Sequence, residues 1–209
     1  MKNLKINRRN MSSFKLLALC ACATLSACAS SPDSRLYLMK AADGPVISQT
    51  SSNVSVQVGP IVIPEYLKRS EIIYRSNAHD ITVKEFDRWA ESLERNMASV
   101  ITSNLATHLD TDNAFDYYAN FSVTPDYIVR LNVTEFGRVG NDAVSLSVSW
   151  ELTNKSPRQS KLYLDNIKTP IQYSEDGENI NHVIAAMNAA LNELSLKIAN
   201  QIAGKNQQS

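Results

Sequence analysis

Cysteine is scarce in this chain, three in 209 residues, and all three fall within the first 28. Any domain built after Cys28 therefore folds without disulfides and depends on its core. Histidine is equally rare, and His79, His108 and His182 fall in different predicted elements, none with a cysteine or carboxylate at metal-ligand spacing. No Gly-x-Ser-x-Gly elbow and no phosphate-binding loop occur, so the motifs of hydrolytic and nucleotide chemistry are missing. Asp110, Asp112 and Asp116 cluster in sequence but lack the glycine and closing glutamate of a calcium loop, which leaves a solvated acidic turn. No run after Cys28 approaches the roughly 20 apolar residues that a membrane helix requires. No enzymatic activity, cofactor or metal is expected.

What is present begins with targeting. Lys2, Lys5, Arg8, Arg9 and Lys15 form an acid-free basic region, and Leu16 to Ala23 form a short apolar one. This is the layout of a signal peptide, opening at Met1 or at Met11. Leu25-Ser26-Ala27-Cys28 closes it and resembles the lipobox of bacterial lipoproteins. Ser26 and Ala27 supply the small side chains that a peptidase pocket accepts, and Cys28 supplies the thiol that takes the lipid. Residues 1–27 are read as the signal, 28–35 as a lipidated tether, 36–205 as one domain and 206–209 as a polar tail. By the same resemblance, Ala29 and Ser30 directly after the lipidated cysteine imply the outer membrane, facing the periplasm.

The signal holds five of the 21 basic residues and none of the 21 acidic ones, so the mature chain carries 16 against 21, a net charge of −5. A mildly acidic body argues against nucleic acid as a partner and against electrostatic adhesion to anionic headgroups. Ala29 to Ser34 is small and polar and reaches at most about 20 to 25 Å when extended. The domain stays near the membrane that holds its lipid.

Past the tether, hydrophobic spacing predicts alternating strands and two long helices. Leu36 to Met39 reads as a short strand, and Val54, Val56 and Val58 alternate with polar residues until Gly59-Pro60 breaks the ladder, which predicts an edge or a bulge. Residues 72–75 and 80–83 read as a hairpin. Thr82 and Glu85 match a capping box, and Phe86, Trp89, Leu93, Met97, Ile101 and Leu105 recur at helical steps, so the helix is expected to start near Thr82 and run to Leu109. Residues 110–120 read as a loop. Tyr127 to Val133 and Val144 to Leu152 alternate cleanly and predict a second hairpin, with further strand at Leu162, Leu164 and 171–173 interrupted near Pro170. A second helix is predicted from Asn179 to Ala203, stopped by Gly204 and Lys205. Trp89 and Leu93 on the first stripe and Trp150 on the apolar strand face read as core packing. An α+β fold, an antiparallel sheet with two long amphipathic helices packed on one face, buries every stripe at once.

Val58-Gly59-Pro60, Ile63-Pro64-Glu65-Tyr66-Leu67, Ile73-Tyr74-Arg75 and above all Phe86-Asp87-Arg88-Trp89-Ala90-Glu91-Ser92-Leu93 resemble the PqiC/YmbA-type ABC-transport auxiliary lipoproteins. The order of elements agrees from the lipobox to the terminal helix. The family commonly has proline where Ser92 stands. The resemblance implies an outer-membrane component of an MCE-type system that moves lipids between membranes, in partnership with a periplasm-spanning MCE-domain protein, with phospholipid as candidate ligand and a homo-oligomeric ring as the assembly. Two readings stay open: a non-enzymatic adaptor in envelope lipid transport, and an outer-membrane structural or assembly lipoprotein with no part in transport.

Overall fold

The computed structural model describes residues 32–47, 54–75, 79–155, 158–174 and 179–206. Cys28 lies outside them. In chain order they form β1 (Arg35–Tyr37), β2 (Val56–Val62), a 3-10 turn (Glu65–Leu67), β3 (Glu71–Arg75), β4 (Ile81–Trp89), α1 (Leu93–Leu109), β5 (Ala114–Asp116), a second 3-10 turn (Tyr117–Ala119), β6 (Tyr127–Val139), β7 (Ala143–Asn154), β8 (Gln159–Pro170) and α2 (Ile180–Asn206).

Strand β6 is the trunk of the sheet. On one side it pairs antiparallel with β7 from Tyr127↔Asn154 to Val139↔Ala143, and β7 carries β8 antiparallel along its whole length. On the other side β2 runs parallel to its first half, with β5 parallel to β2 beyond it. The far end of β6 meets β3 at Arg75↔Val139, and β3 brings in β4 antiparallel, to which β1 adds in parallel. The sheet is therefore mixed: its hairpins are antiparallel and its long-range joints are parallel. Helix α1 packs on β2 and β5, α2 packs on β6, β7 and β8, and the helices pack on each other. The α+β class and the two covering helices are those the apolar stripes predict. Val129, Leu131 and Val133 of β6 and Leu146, Val148 and Trp150 of β7 share one core with Leu191, Leu194, Ile198 and Ile202 of α2.

The start of the first helix is a correction. Residues 84–89, expected as its opening turns, continue the expected hairpin strand at 80–83, and together they form strand β4 (Ile81–Trp89). Thr82 pairs with Tyr74 and Lys84 with Ile72 in the β3 ladder, so the backbone at the expected cap is extended and paired across strands, with no helical turn for a capping box to close. After Lys84 the register jumps to Glu71↔Arg88, and the strand continues against β1 with Tyr37↔Trp89. Phe86, expected on the buried stripe, is 39% exposed in that irregular stretch. The helix begins at Leu93, and Ser92 is its cap, its hydroxyl accepting from the Arg95 N–H at 3.4 Å.

Smaller differences follow the same logic. β2 has the expected irregularity, with a register shift between Val58 and Ile61, but it lies between β6 and β5 and is no edge. Gly59 sits at φ +108°, a conformation that side chains disfavour, and a Cβ there would stand 3.0 Å from the Cβ of Tyr117. The expected loop at 110–120 contains β5 and a 3-10 turn. β8 is continuous through to Pro170, with 171–173 outside it, and α2 runs past Gly204 to Asn206.

Candidate functional site

Trp89 ends β4 with its N–H donating to the Ser70 carbonyl at 2.7 Å, and Leu93 opens α1. Both are buried, around one small cavity with Leu67, Val183 and Met187. Trp150 belongs to a different cluster. It is 1% exposed, stacks on Tyr163 with centroids 4.1 Å apart, and donates its indole N–H to Asp165 Oδ2 at 2.8 Å. Asp165 Oδ1 takes the Lys197 ammonium at 2.7 Å, a hydrogen bond that raises the pKa of that lysine. Tyr163 reaches Gln201 Oε1 at 2.9 Å. Strand β8 is thus held to β7 by the aromatic pair and to α2 by two polar ties.

The site that spacing did not announce is a strap. Residues 38–47, between β1 and the start of the β2 region, have no regular secondary structure and are held by side chains of the two helices. Asn96 accepts from Met39 N–H at 2.8 Å, and its amide points back at the Met39 carbonyl. Asn188 accepts from Lys40 N–H at 3.1 Å, and Asn104 from Ala42 N–H at 3.0 Å. His108 places Nδ1 2.9 Å from the Pro45 carbonyl and Nε2 2.9 Å from Asn192 Oδ1, while its own carbonyl accepts from Ile47 N–H at 3.0 Å. Asn104 also donates to Ser195 Oγ at 3.3 Å. Asn104 and His108 are 0% exposed. These polar residues are satisfied by the strap backbone, which would otherwise leave its own amides unpaired. Gly44 is required where the strap crosses His108, since a Cβ there would come within 2.3 Å of the ring.

At the other end of the same segment, β1 is fastened through Asp87. Arg35 Nε stands 2.9 Å from Asp87 Oδ1, and Tyr37 donates its hydroxyl to the same oxygen at 3.0 Å. The Asp87 contacts raise the pKa of Arg35, and burial leads in raising that of Tyr37. Residues 35–47, which follow directly on the predicted lipid tether, are bolted to β4, α1 and α2 in turn.

Two aspartates of the expected acidic turn have structural roles: Asp110 closes α1 in the left-handed region at φ 51°, and Asp116 Oδ1 accepts from Ala119 N–H at 2.9 Å. Among the described residues no cluster of His, Cys, Asp or Glu is arranged to hold a metal ion, and no helix is long and apolar enough to cross a membrane.

Among the described residues, neither helix covers the other face of the β6 to β8 sheet. Along it Arg130 of β6, Glu151 of β7 and Leu162 of β8 lie side by side, with Ile128, Thr153 and Ser160 in the next row. The second row floors a groove of about 280 Å³, rimmed by Lys155 and Arg158. Arg130 pairs with Glu151 at 3.5 Å. Asp126, at the groove end, accepts from the Ser55 N–H at 3.0 Å and its hydroxyl at 2.7 Å.

Residues 37–199 match the family described as the ABC-type transport auxiliary lipoprotein component. Among solved structures, the fold is similar to protein XCC0632 from Xanthomonas campestris, at 14% identity and a TM-score of 0.67, covering 84% of this chain and 98% of that one. It is also similar to an uncharacterized protein at 16% identity and a TM-score of 0.65, covering 82% of this chain and 99% of that one. At such identities the likeness is one of fold. Among curated proteins none matches the sequence.

Proposed function

The chain belongs to the family of ABC-type transport auxiliary lipoprotein components, and from that premise we propose that it is an outer-membrane-anchored, periplasm-facing docking platform of an MCE-type lipid transport system that performs no chemistry itself. The observation that carries this reading is the family match from 37 to 199, which covers nearly all of the chain after the lipobox. An acyl anchor at Cys28 contributes about 0.8 kcal/mol per buried methylene, so several chains together make detachment rare. A protein held this way does not shuttle.

A tether of about 20 to 25 Å does not cross the periplasm, so a transport role requires a spanning partner, and an MCE-domain protein has that geometry. The fastening of 35–47 to β4 and both helices supports the reading, because it builds the segment after the predicted tether firmly into the domain. Copies arranged as a ring around the partner's end would add weak contacts through avidity.

Membrane fractionation and permeability assays test the proposal. The protein is expected in the outer-membrane fraction, and its deletion together with related systems is expected to make the envelope leaky to detergents. An outer-membrane protein whose loss leaves permeability unchanged in that background would instead be a structural lipoprotein.

A further inference from the structure

The open face of β6 to β8 places cations beside bare hydrocarbon. In the groove, Asp126 is already taken up by Ser55, and Glu151 faces Arg130 at 3.5 Å and Thr153 Oγ1 at 3.4 Å. Among the described residues no carboxylate pairs with Lys155 or Arg158, both exposed at the rim. The local balance is positive on a chain whose mature charge is −5. One strand further across the same face stand Leu162 and Leu164, 63% and 77% exposed. A single exposed leucine is ordinary. Two in successive outward positions, spanning about 7 Å next to a cationic groove, form a directed apolar track. The loop that enters the groove at Thr124 adds exposed Val123 on its approach.

We propose that this face binds an anionic phospholipid, its phosphate held in the groove by Arg130, Lys155 and Arg158 and an acyl chain laid along Leu162 and Leu164. The inference rests on the transport reading for its biological sense and on the juxtaposition for its chemistry. Guanidinium groups match phosphate oxygens in paired, charge-assisted hydrogen bonds. At about 280 Å³ the groove falls just below the size range for small-molecule pockets. It takes a headgroup and leaves the chain outside, where the leucines are. Inorganic phosphate would have no use for the leucines, and an acidic peptide would need no apolar track. The uncompensated charge of Lys155 and Arg158 favours a headgroup of net negative charge over a zwitterionic one.

The test uses the full lipidated chain in phosphatidylcholine vesicles containing a small fraction of phosphatidylglycerol with a photoreactive diazirine in one acyl chain. Illumination is expected to label the peptide containing Leu162 and Leu164 above the rest of the domain. The double variant Lys155→Gln/Arg158→Gln should reduce that label about tenfold, the effect of losing one to two charge-assisted contacts. Leu164→Asp should remove it, with thermal unfolding of both variants unchanged because all three side chains are exposed. Millimolar inorganic phosphate and a polyglutamate peptide should leave the label in place. Displacement by phosphate would reassign the groove to a free anion, and displacement by polyglutamate would reassign it to an acidic protein segment. Uniform labelling, or labelling indifferent to the substitutions, would overturn the site outright. If the lipid label is absent while the MCE-domain partner is still captured in cells, this inference alone falls; if the label is present and the partner is never captured, the platform reading falls.

Discussion

Replacing Asn104 with alanine probes how firmly the membrane-proximal segment is built into the domain. Asn104 is 0% exposed, accepts from Ala42 N–H at 3.0 Å and donates to Ser195 Oγ at 3.3 Å. Ser195 keeps its other bond, to the Leu191 carbonyl at 2.7 Å, so the main loss is the strap amide. An amide left unsatisfied in a partly buried place costs about 1 to 3 kcal/mol, and a residual cavity of about 40 Å³ adds about 1 kcal/mol. For a domain of this size each kcal/mol moves the melting temperature by about 2 to 4 °C. The variant should melt about 5 to 15 °C below the parent by circular dichroism. Hydrogen exchange adds the local readout: the amides of Met39, Ala42 and Ile47, each bonded to a helix residue, should lose protection together, while β6 and β7 stay protected. A melting temperature within about 1 °C of the parent, with those amides still protected, would refute the idea that the helix pair holds the strap through this ladder.

Intact mass of the mature protein should correspond to acylated Cys28 as the first residue, and Cys28→Ala should leave the precursor uncleaved by the lipoprotein peptidase. Leu93→Asp sets a carboxylate in the cavity shared with Trp89 and Met187 and should cost about 3 kcal/mol or more, measured by urea unfolding. Alkali should unfold the domain. Burial raises the Tyr37, Tyr118 and Tyr127 hydroxyls and the Asp165 hydrogen bond raises the Lys197 ammonium. Each group therefore has a folded pKa above its unfolded one. Its stabilisation is intact below about pH 10 and is lost as pH climbs through the raised values. Melting temperature should hold steady from neutrality to about pH 9.5 and fall above 10, with part of the tyrosinate absorbance at 295 nm appearing only on unfolding.

Strands β6 and β7 were legible because one face packs against helices and the other meets solvent, which writes period two into Tyr127–Val133 and Val144–Leu152. The helix start was misleading for a physical reason. Phe86, Trp89 and Leu93 continue the true helical period backward by coincidence, and Thr82 with Glu85 imitates a cap, yet pairing of 81–84 with β3 and of 87–89 with β1 draws the stretch into the sheet. Ser92, a residue type suited to a helix cap and standing directly before Leu93, was the signal that marked the actual boundary. The strap ladder was hidden because Asn96 reads as solvent-facing polarity on an amphipathic helix, and its real partner is a backbone segment more than fifty residues earlier. Asn96, Asn104 and His108, at steps of eight and four, with Asn188, Asn192 and Ser195 at steps of four and three, were the trace available in the sequence. The parallel joints of β2 and β3 to β6 carry no local pattern, so periodicity had no means of announcing them. Leu162 and Leu164 were read as strand, correctly, but alternation alone does not say which face of an end strand stays bare.

The most direct test of the platform account is crosslinking in living cells with a photoreactive amino acid placed at exposed positions of the domain, followed by identification of what is captured. The account predicts two products, this chain joined to itself and this chain joined to an MCE-domain protein, both lost when Cys28→Ala leaves the precursor uncleaved and keeps it from the outer membrane. Capture of neither, with the protein correctly lipidated and folded, would contradict it.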